Sequence, residues 1–89
     1  MRAVITVLGK DRVGIIAGVS NILAQCDVNI LDITQTIMQD VFTMITLVDI
    51  SKCNIPFDDL SERLENKGIE LGLKILIQHE DIFNSMHRI

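Results

Sequence analysis

Apolar positions recur along this chain with two periods, and the switches between them mark its elements. From Arg2 to Leu8, Ala3, Val4, Ile5, Val7 and Leu8 make both parities apolar, the pattern of a central strand. Ile15, Ile16, Val19, Ile22, Leu23 and Cys26 then fall on one stripe, with Ser20, Asn21 and Gln25 opposite. That spacing predicts an amphipathic helix of about three turns. Asp27 can end it, because Asp tolerates left-handed backbone better than most non-glycine residues. From Val28 to Met38 the pattern is β-like, but the apolar parity changes between Val28 and Ile30 and the later Ile33 and Ile37. A bulge, or a strand leaving its sheet, accounts for such a change.

Gln39-Asp40 reads as a two-residue hairpin turn without the usual glycine. Val41 to Ile50 follows as an antiparallel partner: Val41, Ile45 and Leu47 lie on one face, Phe42, Met44, Val48 and Ile50 on the other. After a loop from Ser51 to Ile55, Pro56 suits the first turn of a second helix. Phe57, Leu60, Leu64 and Leu71 share its apolar face. Gly68 either ends this helix or lies inside it at a cost near 1 kcal/mol relative to Ala. Leu71 continues the stripe, which favours a helix ending before Gly72. Leu73 to Gln78 is a fourth strand, and Ile82, Phe83, Met86 and Ile89 space out a short tail helix within residues 80–89.

The order β-α-β-β-α-β with right-handed crossovers gives an α+β, ferredoxin-like sandwich: a four-stranded antiparallel sheet with both helices on one face. The other face is lined by Val4, Thr6, Leu76 and one parity of the third strand, which is too apolar for bulk water. The nine residues from Asp81 to Ile89 cannot cover four strands, so a homodimer is expected.

Length and composition sharpen this picture. The 89 residues make one domain, and a domain of this size buries roughly 60–65% of its unfolded surface. Hydrophobic residues reach 48%, a surplus that points to apolar surface buried against a partner. No apolar run approaches the ~20 residues of a membrane helix, and Met1-Arg2 leads straight into a strand with no room for a signal peptide. A cytoplasmic protein is expected, with no membrane association. A net charge of −4, no Trp, no Tyr and three Phe argue against nucleic-acid binding. Cys26 and Cys53 fit no CxxC pattern and read as free thiols, a disulfide requiring Cα atoms within about 7 Å.

The chemistry concentrates in Gly9-Lys10-Asp11-Arg12-Val13-Gly14-Ile15-Ile16, between the first strand and the first helix. Amides at a helix N-terminus have no partner inside the helix and, with the dipole behind them, favour a carboxylate. Gly9 and Gly14 permit close approach and positive φ. The plainer reading is a strand-to-helix turn with Asp11 near the cap.

With Asp27-Val28-Asn29-Ile30 opening the second strand, this stretch resembles the ACT domain family of amino-acid-sensing modules. Gln35 with Phe42-Thr43-Met44 is similar to stand-alone ACT proteins of the glycine-cleavage-system-repressor type, and the tail Gln78-His79-Glu80-Asp81-Ile82-Phe83 resembles the ending of small bacterial and archaeal single-ACT proteins. The likeness spans essentially the whole chain. It implies a non-catalytic regulatory module that needs no cofactor and binds a small amino acid or similar carboxylate, often between two ACT units, to modulate a partner protein. The ligand-binding positions it implies are Asp11, Arg12, Val13, Gly14, Asn29 and Ile30. Amides at the helix start would meet the α-carboxylate, while Asp11 and the Asn29 amide oxygen would meet the ammonium. Val13 stands where this loop commonly has Pro, and Asp27 where Gly is usual.

The same topology serves other functions. The loop has no Cys pair for metal transfer, the first strand no aromatic for RNA, and the chain too few Cys for an iron–sulfur cluster. An acylphosphatase-like enzyme would use Arg12 for phosphate and Asn29 to orient water, but Asp11 beside Arg12 repels phosphate. His79, His87, Glu80 and Asp81 match no zinc spacing. A ligand-free dimerisation or adaptor module is the remaining alternative.

Overall fold

The computed structural model describes residues 1–86. In chain order the elements are β1 (Arg2–Lys10), α1 (Ile15–Gln25), β2 (Asn29–Met38), β3 (Val41–Asp49), α2 (Phe57–Leu71), β4 (Leu73–His79) and α3 (Glu80–Met86). The strands form one antiparallel sheet in the order β2-β3-β1-β4. Ala3, Ile5 and Val7 of β1 and Leu73, Ile75 and Ile77 of β4 share a single core with Ile15, Val19, Ile22 and Leu23 of α1 and Leu60 and Leu64 of α2. Both long helices therefore cover one face, as expected for a ferredoxin-like sandwich.

Local chemistry sets the boundaries. Asp27, at φ 57, turns the chain out of α1, and Gln39, at φ 57, makes the β2–β3 turn. The parity change in β2 is a bulge: the register with β3 shifts between Ile30 and Asp32. Two expectations are corrected. β1 continues through Gly9 and Lys10, past the strand end expected at Leu8, because both pair with β3 and Gly9 also pairs with Leu73 of β4, so closely that a Cβ would meet its Cδ2 at 2.6 Å. Ile16, assigned to the buried stripe of α1, is 43% exposed, because Ile15 beside it takes the core-facing position of the first turn.

α2 runs through Gly68 and stops at Gly72, whose φ of 73 breaks the helix. Gly68 is there for space: a Cβ would sit 2.8 Å from the Leu73 carbonyl oxygen and 3.1 Å from Ile75 Cγ1. The missing side chain lets α2 lie against β4.

The face away from α1 and α2 is partly covered by the chain itself. α3 packs on β1 and β4, and the Gln78 Nε2 donates to Met86 Sδ at 3.1 Å. Gln78 is the register partner of Val4, and Val4 on this face is only 5% exposed. Arg2 pairs with Glu80 at the start of α3, which raises the Arg2 pKa through that hydrogen bond and the opposite charge. Leu8, Val41, Ile45 and Leu76 stay exposed. The remainder of the expected tail helix, including His87 and Ile89, lies outside the described residues.

Two stability predictions follow from these contacts. An exposed helical Gly→Ala change normally stabilises, but Gly68→Ala is expected to destabilise by about 1–3 kcal/mol, because its Cβ must displace β4 backbone. Denaturant titration reads this, and a gain in stability would show that α2 and β4 are not so closely packed. Thr46 lies 1% exposed on the core side of β3, and its hydroxyl has no hydrogen-bond partner among the described residues. Thr46→Val keeps the shape and removes an unsatisfied group, so it is expected to stabilise by about 1 kcal/mol in the same assay.

Candidate functional site

Loop 11–14 is held at two points. The Asp11 backbone N–H donates to the Asp40 carbonyl at 2.9 Å, tying the loop to the β2–β3 turn. The Arg12 Nη1 donates to the Leu71 carbonyl at 3.0 Å, placing a cation at the C-terminal end of α2, where the helix dipole favours it. Arg12 thus anchors the loop, a role that the sequence does not reveal because Leu71 lies 59 residues away.

Between these ties and the helix, Val13 is 96% exposed, and Gly14 takes φ 93 as the N-cap. A β-carbon at Gly14 would have open space around it, so its backbone angle, not crowding, favours glycine there. No side chain caps α1, and its first turn holds no acidic residue. The first helical bond runs from the Gly18 N–H to the Gly14 carbonyl, so the amides of Ile15, Ile16 and Ala17 precede the helical ladder and face outward. Asp11 is not a cap. Beside this turn, Lys10, Asp11, Arg12, Leu71 and Gly72 line an open concavity of about 440 Å³.

Asn29 and Ile30 lie elsewhere. Asn29 pairs with Asp49, and Asp49 with Arg2, so Asn29 stands where β1 begins, whereas the loop follows where β1 ends. At ~3.3 Å per residue the two ends are roughly 26 Å apart. Within one chain the structure brings Asp11, Arg12, Val13 and Gly14 together but leaves Asn29 and Ile30 at the opposite end of the sheet. The acylphosphatase arrangement, which needs Arg12 and Asn29 side by side, is not formed in a single chain.

The Asn29 end has its own open concavity of about 460 Å³, lined by Ala24, Asp27, Val28, Asn29 and Lys52. Nearby, the Ser51 hydroxyl and then the Ser51 backbone N–H hold the Asp49 carboxylate below its usual pKa. Lys52 has no signal in the sequence, and Asp27 is legible there only as a turn residue; both flank Asn29 because the loop after β3 folds against the end of α1.

β2 joins the two ends. It is exposed at every position, with β3 on one side only. Ile33, Ile37 and Met38 project from it uncovered, and the Ile33 backbone N–H donates at 2.9 Å to the carboxylate of Asp32, its chain neighbour.

Among the described residues no helix is long and apolar enough to cross a membrane, and no three His, Cys, Asp or Glu side chains converge as for a metal. His79 instead stacks on Phe57, with ring centroids 4.2 Å apart.

Residues 2–78 match the ACT domain profile. A UPF0237 protein of Clostridium acetobutylicum is 60% identical over 89 residues, covering 100% of both chains. Among solved structures, an ACT domain protein from Streptococcus pneumoniae aligns with a TM-score of 0.80 at 44% identity, covering 93% of each chain. A candidate glycine cleavage system transcriptional repressor aligns at 0.72 and 25% identity over 86% of this chain and 44% of its own. Fold, profile and relatives agree, and the chain belongs to the ACT domain family.

Proposed function

We propose that this protein is a non-catalytic regulatory module, a homodimer that binds a small amino acid or similar carboxylate between its subunits and thereby modulates a partner protein. One observation carries the reading: the two halves of the candidate site lie at opposite ends of a strand whose outer edge is free. A two-fold axis through the middle of β2 pairs that edge antiparallel with its copy. The start of one β2 then lies beside the end of the other, about three strand spacings, or roughly 14 Å, from the first protomer's Lys10. Each loop 11–14 gains an Asn29 from the opposite subunit, and two equivalent sites form.

The chemistry suits a zwitterion. The uncapped amides at the start of α1 favour the carboxylate, while Asp11 and the Asn29 amide oxygen favour the ammonium. Ligand binding across the junction then stabilises one relative arrangement of the subunits by its differential affinity for it, which a partner protein can read. A ligand-free adaptor is the second reading, favoured by the openness of both concavities in the single chain.

Thermal unfolding against the twenty amino acids separates the two. A true ligand stabilises saturably, by about 2.7 kcal/mol at a hundred times its Kd, and either Asp11→Ala or Asn29→Ala removes the response. Co-expressing the two variants restores binding in the mixed dimer, with one intact site per dimer; failure of that rescue alongside wild-type binding contradicts a shared site. If no amino acid shifts the midpoint, the adaptor reading replaces the sensor. Assembly is checked separately by light scattering, which should give twice the chain mass at micromolar concentration. Ile33→Pro, at an N–H that serves Asp32 and not the β3 ladder, should give a folded monomer; an undiminished dimer would exclude β2 as the junction.

A further inference from the structure

We infer that Cys26 and Cys53 are a built pair for a reversible intramolecular disulfide, a redox modification site at the junction of α1 and the loop before α2. The inference stands on this geometry alone and does not rest on the ligand reading.

The cysteines are 27 residues apart in sequence, yet the loop carrying Cys53 docks on the turn carrying Cys26. The Asn54 backbone N–H donates to the Cys26 carbonyl at 3.1 Å. The Asn54 side-chain amide donates to the Gln25 carbonyl at 2.9 Å and to the Asp27 carboxylate at 3.1 Å. In a trans peptide the Cα preceding an amide lies on the same side as its hydrogen, so ordinary bond lengths hold the Cys26 and Cys53 Cα atoms to roughly 6 Å. A disulfide takes Cα atoms about 4.4–6.8 Å apart. Both side chains belong to the same core, Cys26 fully buried within it and Cys53 half-buried at its margin.

A third group makes the pair chemically asymmetric. The Arg63 guanidinium reaches across from α2, its Nη1 donating to Cys26 Sγ at 3.1 Å and its Nη2 to Gln25 Oε1 at 2.8 Å. The guanidinium both positions the Cys26 sulfur and stands ready to pair with the sulfur anion that performs the attack. Cys53, the accessible sulfur, meets the oxidant; Cys26, the buried one, resolves it.

With a hydroperoxide as oxidant, Cys53 attacks the terminal peroxide oxygen. The O–O bond breaks, an alcohol or water leaves, and Cys53 becomes a sulfenic acid. Cys26 Sγ then attacks Cys53 Sγ, forming the S–S bond and breaking the S–O bond. The departing hydroxide takes the Cys26 proton and leaves as water. Two thiols are oxidised by two electrons and one peroxide is reduced; a low-molecular-weight dithiol reverses the step by exchange. Because α1 ends at Cys26 and Asn29 follows three residues later, the bond clamps the entry to β2 against the loop.

The test treats the folded full-length chain with hydrogen peroxide, followed by alkylation and non-reducing peptide mapping. The expected product has lost two hydrogens, joins Cys26 to Cys53 within one chain and returns to two thiols with dithiothreitol. Arg63→Gln, which keeps hydrogen-bonding capacity without the charge, should slow bond formation by about tenfold and prolong trapping of the Cys53 sulfenic acid by dimedone. Cys26→Ser should let that acid accumulate. Two thiols that survive peroxide in the folded chain, crosslinks only between chains, or an Arg63→Gln rate equal to wild type would each overturn the inference. A urea-unfolded control shows whether any bond formed needs the native docking.

Discussion

A helix that follows a strand and packs back along it returns the chain to the end where the strand began. Here α1 does this over eleven residues, because Ile15, Val19, Ile22 and Leu23 bury one stripe against Ala3, Ile5 and Val7. The consequence is geometric and severe. Whatever the β1–α1 turn offers to a ligand, the opening of β2 cannot share it within the same chain. Each other feature of the molecule takes its meaning from that separation: two open concavities, a turn with bare amides and a ten-residue edge left exposed from end to end.

Edges of this kind are ordinarily blunted, since an unpaired strand invites association. β2 has only slight protection: a bulge at Ile30/Asp32 and the Asp32 carboxylate lying over the Ile33 N–H. Between them it presents Ile33, Ile37 and Met38 to solvent. On the face away from the long helices, α3 shelters only the corner around Val4 and Gln78, so the row Leu76–Thr6–Ile45 is left uncovered by the described chain. The chain's 48% hydrophobic content is visible here as apolar surface left open by the described residues, the kind of surface that association ordinarily covers.

Much of the fold was legible because the relevant signals are local. The parity change in β2, the left-handed turn at Asp27, and Leu71 continuing its stripe past Gly68 each follow from spacing and backbone preference. Other features depend on partners distant in sequence. Gly9 belongs to β1 only because β4 comes to lie beside it, and Arg12 is an anchor only because α2 ends at Leu71. The Arg63–Cys26 contact crosses 37 residues and leaves no local trace. Thr46 alternates correctly with Met44 and Val48, but its lack of a hydrogen-bond partner emerges only once α1 and α2 close over it. The division of the candidate site between two ends of the sheet is not legible in the sequence, because family likeness names positions without ends. Following the direction of α1 shows that Asn29 and Asp11 are far apart within one chain.

Function therefore turns on which chain's Asn29 faces a given loop. Isotope-filtered NMR on a dimer of one labelled and one unlabelled protomer, saturated with the amino acid that stabilises it, measures this directly. Cross-peaks from the bound amino acid both to the Asn29 side-chain amide of one protomer and to the Val13–Ile15 amides of the other are the predicted result. A ligand seen against the loop amides with no signal from the second protomer's Asn29 would contradict it.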